Sequence, residues 1–411
     1  MAMIKSLVLL SSCVLLAACV QNNANNANRR TTSNYVLPFG DAGAGISAEE
    51  LAKRYPAPVN RNLKEVRIGI LLPLTGEHAE LGSALLDAAM LALFDKYATM
   101  KPEDAKVQVV LVPKDTGGTA EGAAKAAKAA LADGAQLLLG PLLTQEVAAV
   151  APIARKQHIN VLSFSNNRDV AQDGVYLFGF LPSEQVERVS KEAWARGVQK
   201  MGALLPKDAY GQKIAAALRN LAAKQGKNIA GIEFYESGSK EMDLPLQRLT
   251  GGRGGDKIDA LLLAENGENL HHMIARINAF GIDTKKVRLL GTGLWDDPAL
   301  FASDDVAGGW FASSPQHASI RFETRYKSQY NKIPPRLAGL AYDAVALAAS
   351  LANAPSGVDF SKSAFTTKSG YAGSAGGIFR CHFDGTCEHG LAIMEINKGG
   401  LKEISPAPKS F

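Results

Sequence analysis

Two thiols near the C-terminus are the side chains of this sequence best spaced to react with each other. Cys381 and Cys387 flank the pair Asp384-Gly385, and Asp-Gly is a strong signal for the turn of a β-hairpin. In an oxidising compartment, two such cysteines are expected to form a disulfide across the hairpin. A metal site that also uses His382 and His389 is the alternative. Closely spaced zinc ligands usually occur as C-x-x-C or H-x-x-x-H pairs, so the spacing favours the disulfide and no metal.

The other polar side chains do not form a recognisable catalytic set. Ser163 and Ser165 lie outside any Gly-x-Ser-x-Gly motif. His271 and His272 are adjacent on a predicted helix, where neighbouring side chains point about 100° apart. The glycine cluster at 251–255 lacks the Gly-Lys-Ser/Thr ending of a phosphate-binding loop. We therefore expect a protein that is not an enzyme and that uses no cofactor.

The N-terminal residues indicate another chemistry, which is covalent attachment to a lipid. Lys5 precedes a short apolar run that ends in Leu16-Ala17-Ala18-Cys19. This pattern looks like a secretory signal with a bacterial lipobox, in which residues 1–18 are removed and the sulfur of Cys19 carries the lipid. An ordinary signal peptide with an incidental cysteine is the alternative. Because Val20 follows the cysteine where an acidic residue would retain such lipoproteins at the inner membrane, we expect the outer membrane, with the protein facing the periplasm.

Residues 19–62 are expected to form a disordered tether. Its first part is a polar, asparagine-rich tract with nothing to bury. The rest of the 411 residues is long enough for two ordinary domains. The net charge of +5 is spread among acidic residues, which argues against a nucleic-acid partner.

From residue 63 onward, short strand-like runs alternate with alanine-rich helical segments. Strands are predicted at about 66–72, 106–112, 135–139, 159–163, 175–180, 200–205, 228–235, 258–263, 287–290 and 391–396. This alternation predicts parallel sheets of an α/β fold. Helices predicted at 316–331, 336–352 and 359–368 do not extend the second set of strands, so they are expected to pack back on the first.

The motif from Ile68 to Gly76, followed by the stretch from Leu138 to Thr144, resembles the periplasmic binding proteins of the leucine/isoleucine/valine receptor type. The resemblance implies an α/β fold of two Rossmann-like lobes joined by three crossings, near residues 180, 311 and 385, with a cleft between the lobes. The domain is expected at 63–408. Its first lobe would hold residues 63–180 and 312–385, and its second lobe residues 181–311 and 386–408.

The same resemblance implies which residues would contact a ligand in the cleft. The family binds an amino-acid carboxylate through hydroxyls and backbone N–H groups at helix N-termini. Thr144 and the turn Ser165-Asn166 stand at those positions, and Thr75 is the hydroxyl residue near the end of the first motif. Tyr210 stands where a tyrosine commonly lines the second lobe.

The side of the cleft that would bind the ligand's ammonium departs from the family. The stretch from Leu290 to Trp295 has no acid where amino-acid receptors carry one, and the first acid is Asp296. Glu265 could substitute, and Trp295 is the aromatic candidate for the cleft. Because a buried unpaired ammonium costs several kcal/mol, this departure weakens the prediction of amino-acid binding.

Leu139-Gly140-Pro141-Leu142 and the stretch from Leu204 to Gly211 are similar to those of the penicillin-binding-protein activator lipoproteins. This resemblance implies a non-catalytic domain, held to the membrane by its lipid, that binds a peptidoglycan synthase (a penicillin-binding protein) and raises its activity. The alternative is a substrate-binding lipoprotein of an amino-acid-type ABC importer, which would hold a small polar ligand or an amino acid.

Overall fold

The computed structural model describes residues 63–236, 242–252 and 257–411. The expected signal peptide (1–18), the expected lipidation site Cys19 and the expected tether (19–62) lie outside the described residues. Part of the glycine cluster at 251–255 does so as well. In the part of the chain that is described, no helix is both long enough and apolar enough to cross a membrane.

The first lobe is built on a five-stranded parallel sheet of order β2-β1-β3-β4-β5. Its strands are β1 (Lys64–Leu72), β2 (Val107–Asp115), β3 (Ala135–Leu139), β4 (Val161–Ser163) and β5 (Val175–Leu177). Helices α1 (Ala79–Thr99), α2 (Ala120–Ala132) and α3 (Thr144–Lys156) connect them. All but the last residue of β2 are buried, as expected for a parallel strand covered by helices on both faces.

The second lobe is built on a seven-stranded mixed sheet of order β15-β14-β10-β9-β8-β6-β7. The parallel strands are β6 (Met201–Pro206), β7 (Ile229–Tyr235), β8 (Ala260–Leu263), β9 (Arg288–Gly291) and β10 (Trp310–Ser313). Strands β14 (Ala392–Asn397) and β15 (Gly400–Ser405) extend it in antiparallel pairing. The helices of this segment are α4 (Pro182–Ala195), α5 (Ala209–Gln225), α6 (Asp243–Thr250), α7 (Gly267–Ala279) and the short α8 (Pro298–Phe301).

The helices that follow β10 pack on the first lobe. They are α9 (Gln316–Tyr330), α10 (Ala338–Ala352) and α11 (Lys362–Phe365), and the last is much shorter than the helix expected at 359–368. Helix α10 packs along α1. Helix α9 is fixed to α1 by Arg325, whose Nε and Nη2 donate to one carboxylate oxygen of Asp95 at 3.0 and 2.8 Å.

A small antiparallel sheet lies at the edge of the first lobe. It consists of β11 (Tyr371–Ala372), β12 (Ile378–Cys381) and β13 (Cys387–His389). The Leu177 N–H of β5 donates to the Gly385 carbonyl at 2.8 Å, which attaches the β12–β13 turn to the first lobe. The disulfide between Cys381 and Cys387 joins the two strands of this hairpin.

The chain therefore passes between the two large sheets at 178–181, 314–315 and 390–391. The second and third crossings lie slightly beyond the positions expected near 311 and 385. The reason for the second difference is that β10 pairs with β9 and β14 and so belongs entirely to the second lobe. The reason for the third is that the hairpin stays beside β5, so the second lobe resumes at β14.

The second position of the segment Leu139-Gly140-Pro141-Leu142 sterically requires glycine. Gly140 has φ = +78°, a conformation that favours glycine. A Cβ at this position would lie 2.2 Å from the Leu71 carbonyl oxygen of the neighbouring strand β1. The glycine therefore allows the loop after β3 to cross the end of β1 at close range.

Candidate functional site

The loops at the carboxyl ends of the first-lobe strands are organised by one carboxylate, Asp115 at the end of β2. Its Oδ1 accepts the N–H groups of Leu74, Thr75 and Gly117 at 2.8, 3.2 and 2.8 Å. Its Oδ2 accepts the Thr75 hydroxyl at 2.6 Å. Thr75 is exposed to solvent, but its hydroxyl proton is donated to Asp115. Only the lone pairs of this hydroxyl remain for a ligand.

Thr144 is the first residue of α3 and is half-buried. The N-terminus of a helix attracts anions, which is why a ligand carboxylate was expected here. In this chain, Glu146 places its own carboxylate at that end, where its Oε2 accepts the Leu143 N–H at 2.9 Å. The Glu146 side chain is fully buried, and its Oε1 has no hydrogen-bond partner among the residues that the structure describes. A carboxylate supplied by the chain therefore already occupies part of the expected anion site.

The turn after β4 offers less polar surface than its sequence suggested. Ser165 is 2% exposed, and its Oγ accepts the Asn167 N–H at 3.3 Å. Asn166 is exposed. Of the two residues expected to bind a ligand in this turn, only Asn166 presents its side chain to solvent.

Tyr210 of the second lobe lies at the start of α5 and is half-buried. Its hydroxyl donates to Thr292 Oγ1 at 2.9 Å, which links α5 to the end of β9. Burial raises the pKa of Tyr210, and the bond to Thr292 opposes this only in part. The phenol is therefore neutral at physiological pH.

Glu265 and Trp295 are both buried, and the expectation that the Trp295 ring lines the cleft is corrected. This ring is fully buried in the second lobe, and its Nε1–H donates to the Glu265 carbonyl at 3.1 Å. It packs so closely over Gly291 that a Cβ there would lie 2.1 Å from the ring. Glu265 is 7% exposed, and its carboxylate accepts a hydrogen bond from the hydroxyl of Tyr235. Burial raises the pKa of the Tyr235 phenol, and its hydrogen bond to the Glu265 carboxylate raises it further.

Two cations that the sequence did not indicate as functional bridge the lobes. Lys213 of α5 contacts the side-chain oxygen of Asn167 and lies 3.1 Å from Asp169 Oδ2. Arg336, in the loop before α10, lies 3.4 Å from Asp296 Oδ2. Its guanidinium carbon is 4.5 Å from the Phe180 ring centroid. The i, i+3 spacing from Tyr210 could have indicated Lys213, whereas no local signal identifies Arg336.

The pair formed by Arg336 and Asp296 changes the charge of the cleft. Burial lowers the pKa of Arg336, and the nearby Asp296 opposes that shift. The same Asp296 oxygen also accepts the hydroxyl of Ser313. The charge of Asp296 is thus balanced by that of Arg336, and the carboxylate of Glu265 is bonded to Tyr235. Neither acid considered for an ammonium group is free to bind one.

A buried histidine, His389, lies between the first crossing, whose Phe180 it contacts, and the third crossing, which it directly precedes. The His389 side chain is 2% exposed, and its ring centroid is 4.7 Å from that of Phe180. Its Nδ1 lies 3.5 Å from Glu184 Oε2, and within the described part of the chain neither ring nitrogen has a hydrogen-bond partner. Burial lowers the pKa of His389 to about 4 and raises the pKa of Glu184. Asp343, which accepts the N–H groups of three residues in a nearby loop (Ser374, Ala375 and Gly376), has its pKa raised by burial to about 6.

The described residues hold no group of three or more His, Cys, Asp or Glu side chains arranged to bind a metal ion. The metal site considered as the alternative for this segment would need thiolates, but Cys381 and Cys387 are joined to each other.

Residues 65–401 match the periplasmic binding protein family. The chain belongs to this family. A solved structure from Rhodospirillum rubrum, described as a branched-chain amino acid ABC transporter, superposes with a TM-score of 0.73. That match covers 83% of this chain and all of the other, at 19% sequence identity. It supports the two-lobed fold alone.

Two curated proteins are related to parts of the chain. An uncharacterised protein of Rickettsia prowazekii is 24% identical over 234 residues, which are 56% of this chain and 60% of that protein. The penicillin-binding protein activator LpoA of Photobacterium profundum is 27% identical over 186 residues, which are 45% of this chain and 29% of that protein. The chain therefore spans less than two thirds of the length of either relative.

Proposed function

We propose that this protein is an outer-membrane lipoprotein, attached through Cys19, whose binding-protein-like domain binds a peptidoglycan synthase and raises its transpeptidase activity without catalysing a reaction. The observation that carries the proposal is the similarity over 186 residues to a protein named as a penicillin-binding protein activator. The segment Leu139-Gly140-Pro141-Leu142 and the lipobox at Cys19 are consistent with it.

The polar groups of the cleft support a protein partner over a free amino acid. A receptor for amino acids needs an unpaired carboxylate for the ligand's ammonium. Here Asp296 is paired with Arg336, and the carboxylate of Glu265 is bonded to Tyr235. Binding an amino acid would first require these interactions to break. A protein ligand that docks on the outside of the lobes requires no such change.

Binding to purified peptidoglycan synthases of the same cell tests the proposal. The mature protein, immobilised through a C-terminal tag, is expected to bind one synthase saturably. A related binding protein with a free amino-acid site serves as the control for the fold and is expected to bind none. If no synthase of the cell binds, the activator function is wrong.

A substrate-binding role in an amino-acid-type ABC importer is the second candidate. It is favoured by the exposed Thr75 and the half-buried Thr144, which keep hydroxyls near the loops of the first lobe. Isothermal titration calorimetry against the common L-amino acids separates the two functions. Saturable binding with a micromolar or lower Kd would support the receptor, while heats indistinguishable from dilution would support the activator.

A further inference from the structure

A groove beside the lobe-bridging pair of Arg336 and Asp296 combines exposed apolar side chains with one carboxylate, Glu323, in excess of its single cation. It lies between α9, the loop before α10 and the edge of the second lobe, and it encloses about 280 Å³. Ile320 and Ile333 line it and are 52% and 69% exposed. Clustered exposed apolar residues on a folded protein often mark an interaction site. We call this surface the α9 groove.

The volume of the α9 groove indicates what kind of group it can hold. Pockets for drug-sized ligands span about 300–1,000 Å³ and bury most of the ligand. At about 280 Å³, and open along the two isoleucines, this groove has room for one or two side chains. The remaining apolar contact would come from a segment lying across Ile320, Ile333 and Pro334. A segment of a protein could place such side chains in the groove and also cover the exposed isoleucines at its rim.

The charges of the α9 groove specify the sign of its partner. Asp296, Glu323 and Arg336 are the charged residues that line it. Arg336 pairs with Asp296, which leaves Glu323 without an ion-pair partner within 4.0 Å among the described residues. Burial raises the pKa of Glu323, and the nearby charge of Asp296 raises it further. A cation brought next to Glu323 would relieve that unfavourable environment.

We propose that the α9 groove is the surface through which this protein contacts the synthase, and that it binds an apolar segment of the synthase carrying one lysine or arginine opposite Glu323. This inference rests on the proposed function. The apolar residues of the segment would cover Ile320 and Ile333, which supply the buried area. The single cation would complete the charge balance that Arg336 leaves incomplete.

Binding of the purified mature protein to the full-length synthase, measured by biolayer interferometry, tests this surface. Ile320→Glu and Ile333→Glu are each expected to weaken binding about tenfold or more, as for apolar residues at the centre of an interface. Leu244→Glu is the matched control, because Leu244 is 56% exposed on α6 and lies outside the groove. It is expected to bind like the wild type. All three positions are exposed, so the thermal midpoint of each variant should stay near that of the wild type.

Glu323 separates the charge argument from the apolar one. Glu323→Gln is expected to weaken binding about fivefold at low salt, and Glu323→Lys more strongly, since the latter places two like charges together. Wild-type affinity should fall as the salt concentration is raised. The affinity of the Glu323→Gln variant should depend much less on salt, because the attraction between Glu323 and the partner's cation is absent.

Each outcome of these measurements decides between distinct claims. If the synthase binds and none of the groove variants changes the affinity, the groove is not the contact surface, although the proposed function stands. If the wild-type protein binds no synthase, the proposed function fails and the groove assignment fails with it. If sedimentation shows that the protein alone is a dimer that Ile320→Glu dissociates, the occupant is a second copy of this chain, which also overturns the proposal.

Discussion

Replacing His389 with glutamine should remove the loss of stability that this histidine causes as the pH falls. The wild-type ring packs against Phe178, Phe180 and Phe379, and among the described residues neither of its nitrogens has a hydrogen-bond partner. It therefore folds in its neutral form. Glutamine has a similar polarity but does not titrate. The variant will be less stable than the wild type at pH 7, because it loses the packing of the ring against Phe180.

The difference between the two proteins should shrink as the pH falls. Folded His389 binds a proton only below about pH 4, whereas in the unfolded chain it does so below its ordinary pKa of 6.5. Between these values the unfolded state holds more protons, so this residue costs the wild type stability as the pH is lowered. A shift from 6.5 to about 4, at 1.36 kcal/mol for each unit, amounts to about 3 kcal/mol.

A neighbouring carboxyl has the opposite effect. The pKa of Asp343 is raised to about 6, so its protonation favours the folded state as the pH falls below that value, and its ionisation costs stability above it. Asp343 is present in both proteins, but the charge of His389 lowers its pKa, so the comparison with His389→Gln measures His389 together with this coupling.

Urea unfolding of both proteins at several pH values between 7 and 4.5 measures this effect. The free energy of unfolding of the variant should approach that of the wild type by about 2–3 kcal/mol over this range. His317→Gln, at an exposed position on α9, is the matched control and should give a constant difference. A difference between the wild type and His389→Gln that does not change with pH would show that the histidine is not held neutral by burial.

Three other substitutions test the geometry of the loops and the cleft. Gly140→Ala should lower the free energy of unfolding by several kcal/mol in urea denaturation, because the new Cβ would meet a backbone carbonyl at 2.2 Å. Arg336→Met should leave Asp296 half-buried and without its cation, and a lower thermal midpoint, partly restored by a second change of Asp296→Asn, is the expected result. Tyr210→Phe should cost about 1 kcal/mol of stability in urea unfolding, because the bond to Thr292 is lost while the ring remains. A Tyr210→Phe protein as stable as the wild type would show that this bond contributes nothing.

The fold was predictable from the sequence because its signal is local and repeated. Apolar runs such as 107–112 are strands buried on both faces, and the alanine-rich segments between them cover the sheet. The positions of the crossings were less accurate. Whether the chain at β10 or at the β12–β13 hairpin belongs to one lobe or the other depends on which strand it pairs with. That pairing is set by contacts between residues far apart in the sequence.

The location of the candidate site residues in the fold was predictable only where it follows from a nearby strand or helix. Thr144 and Tyr210 lie in the first turns of their helices, and Thr75 lies in the loop after β1. Trp295 was misjudged because a tryptophan at the end of a strand can face either the cleft or the core, and the sequence does not show which. Arg336 could not be found, since it reaches Asp296 only through the return of α9 and α10 to the first lobe.

The rate of peptide cross-linking by a purified synthase of the same cell, measured on its lipid-linked substrate, tests the central claim most directly. With the mature protein added, the cross-linked fraction should rise and saturate with concentration, and Ile320→Glu should require a higher concentration for the same effect. An unchanged cross-linked fraction at every concentration, together with saturable calorimetric binding of a free amino acid, would contradict the account and identify the protein as a solute receptor.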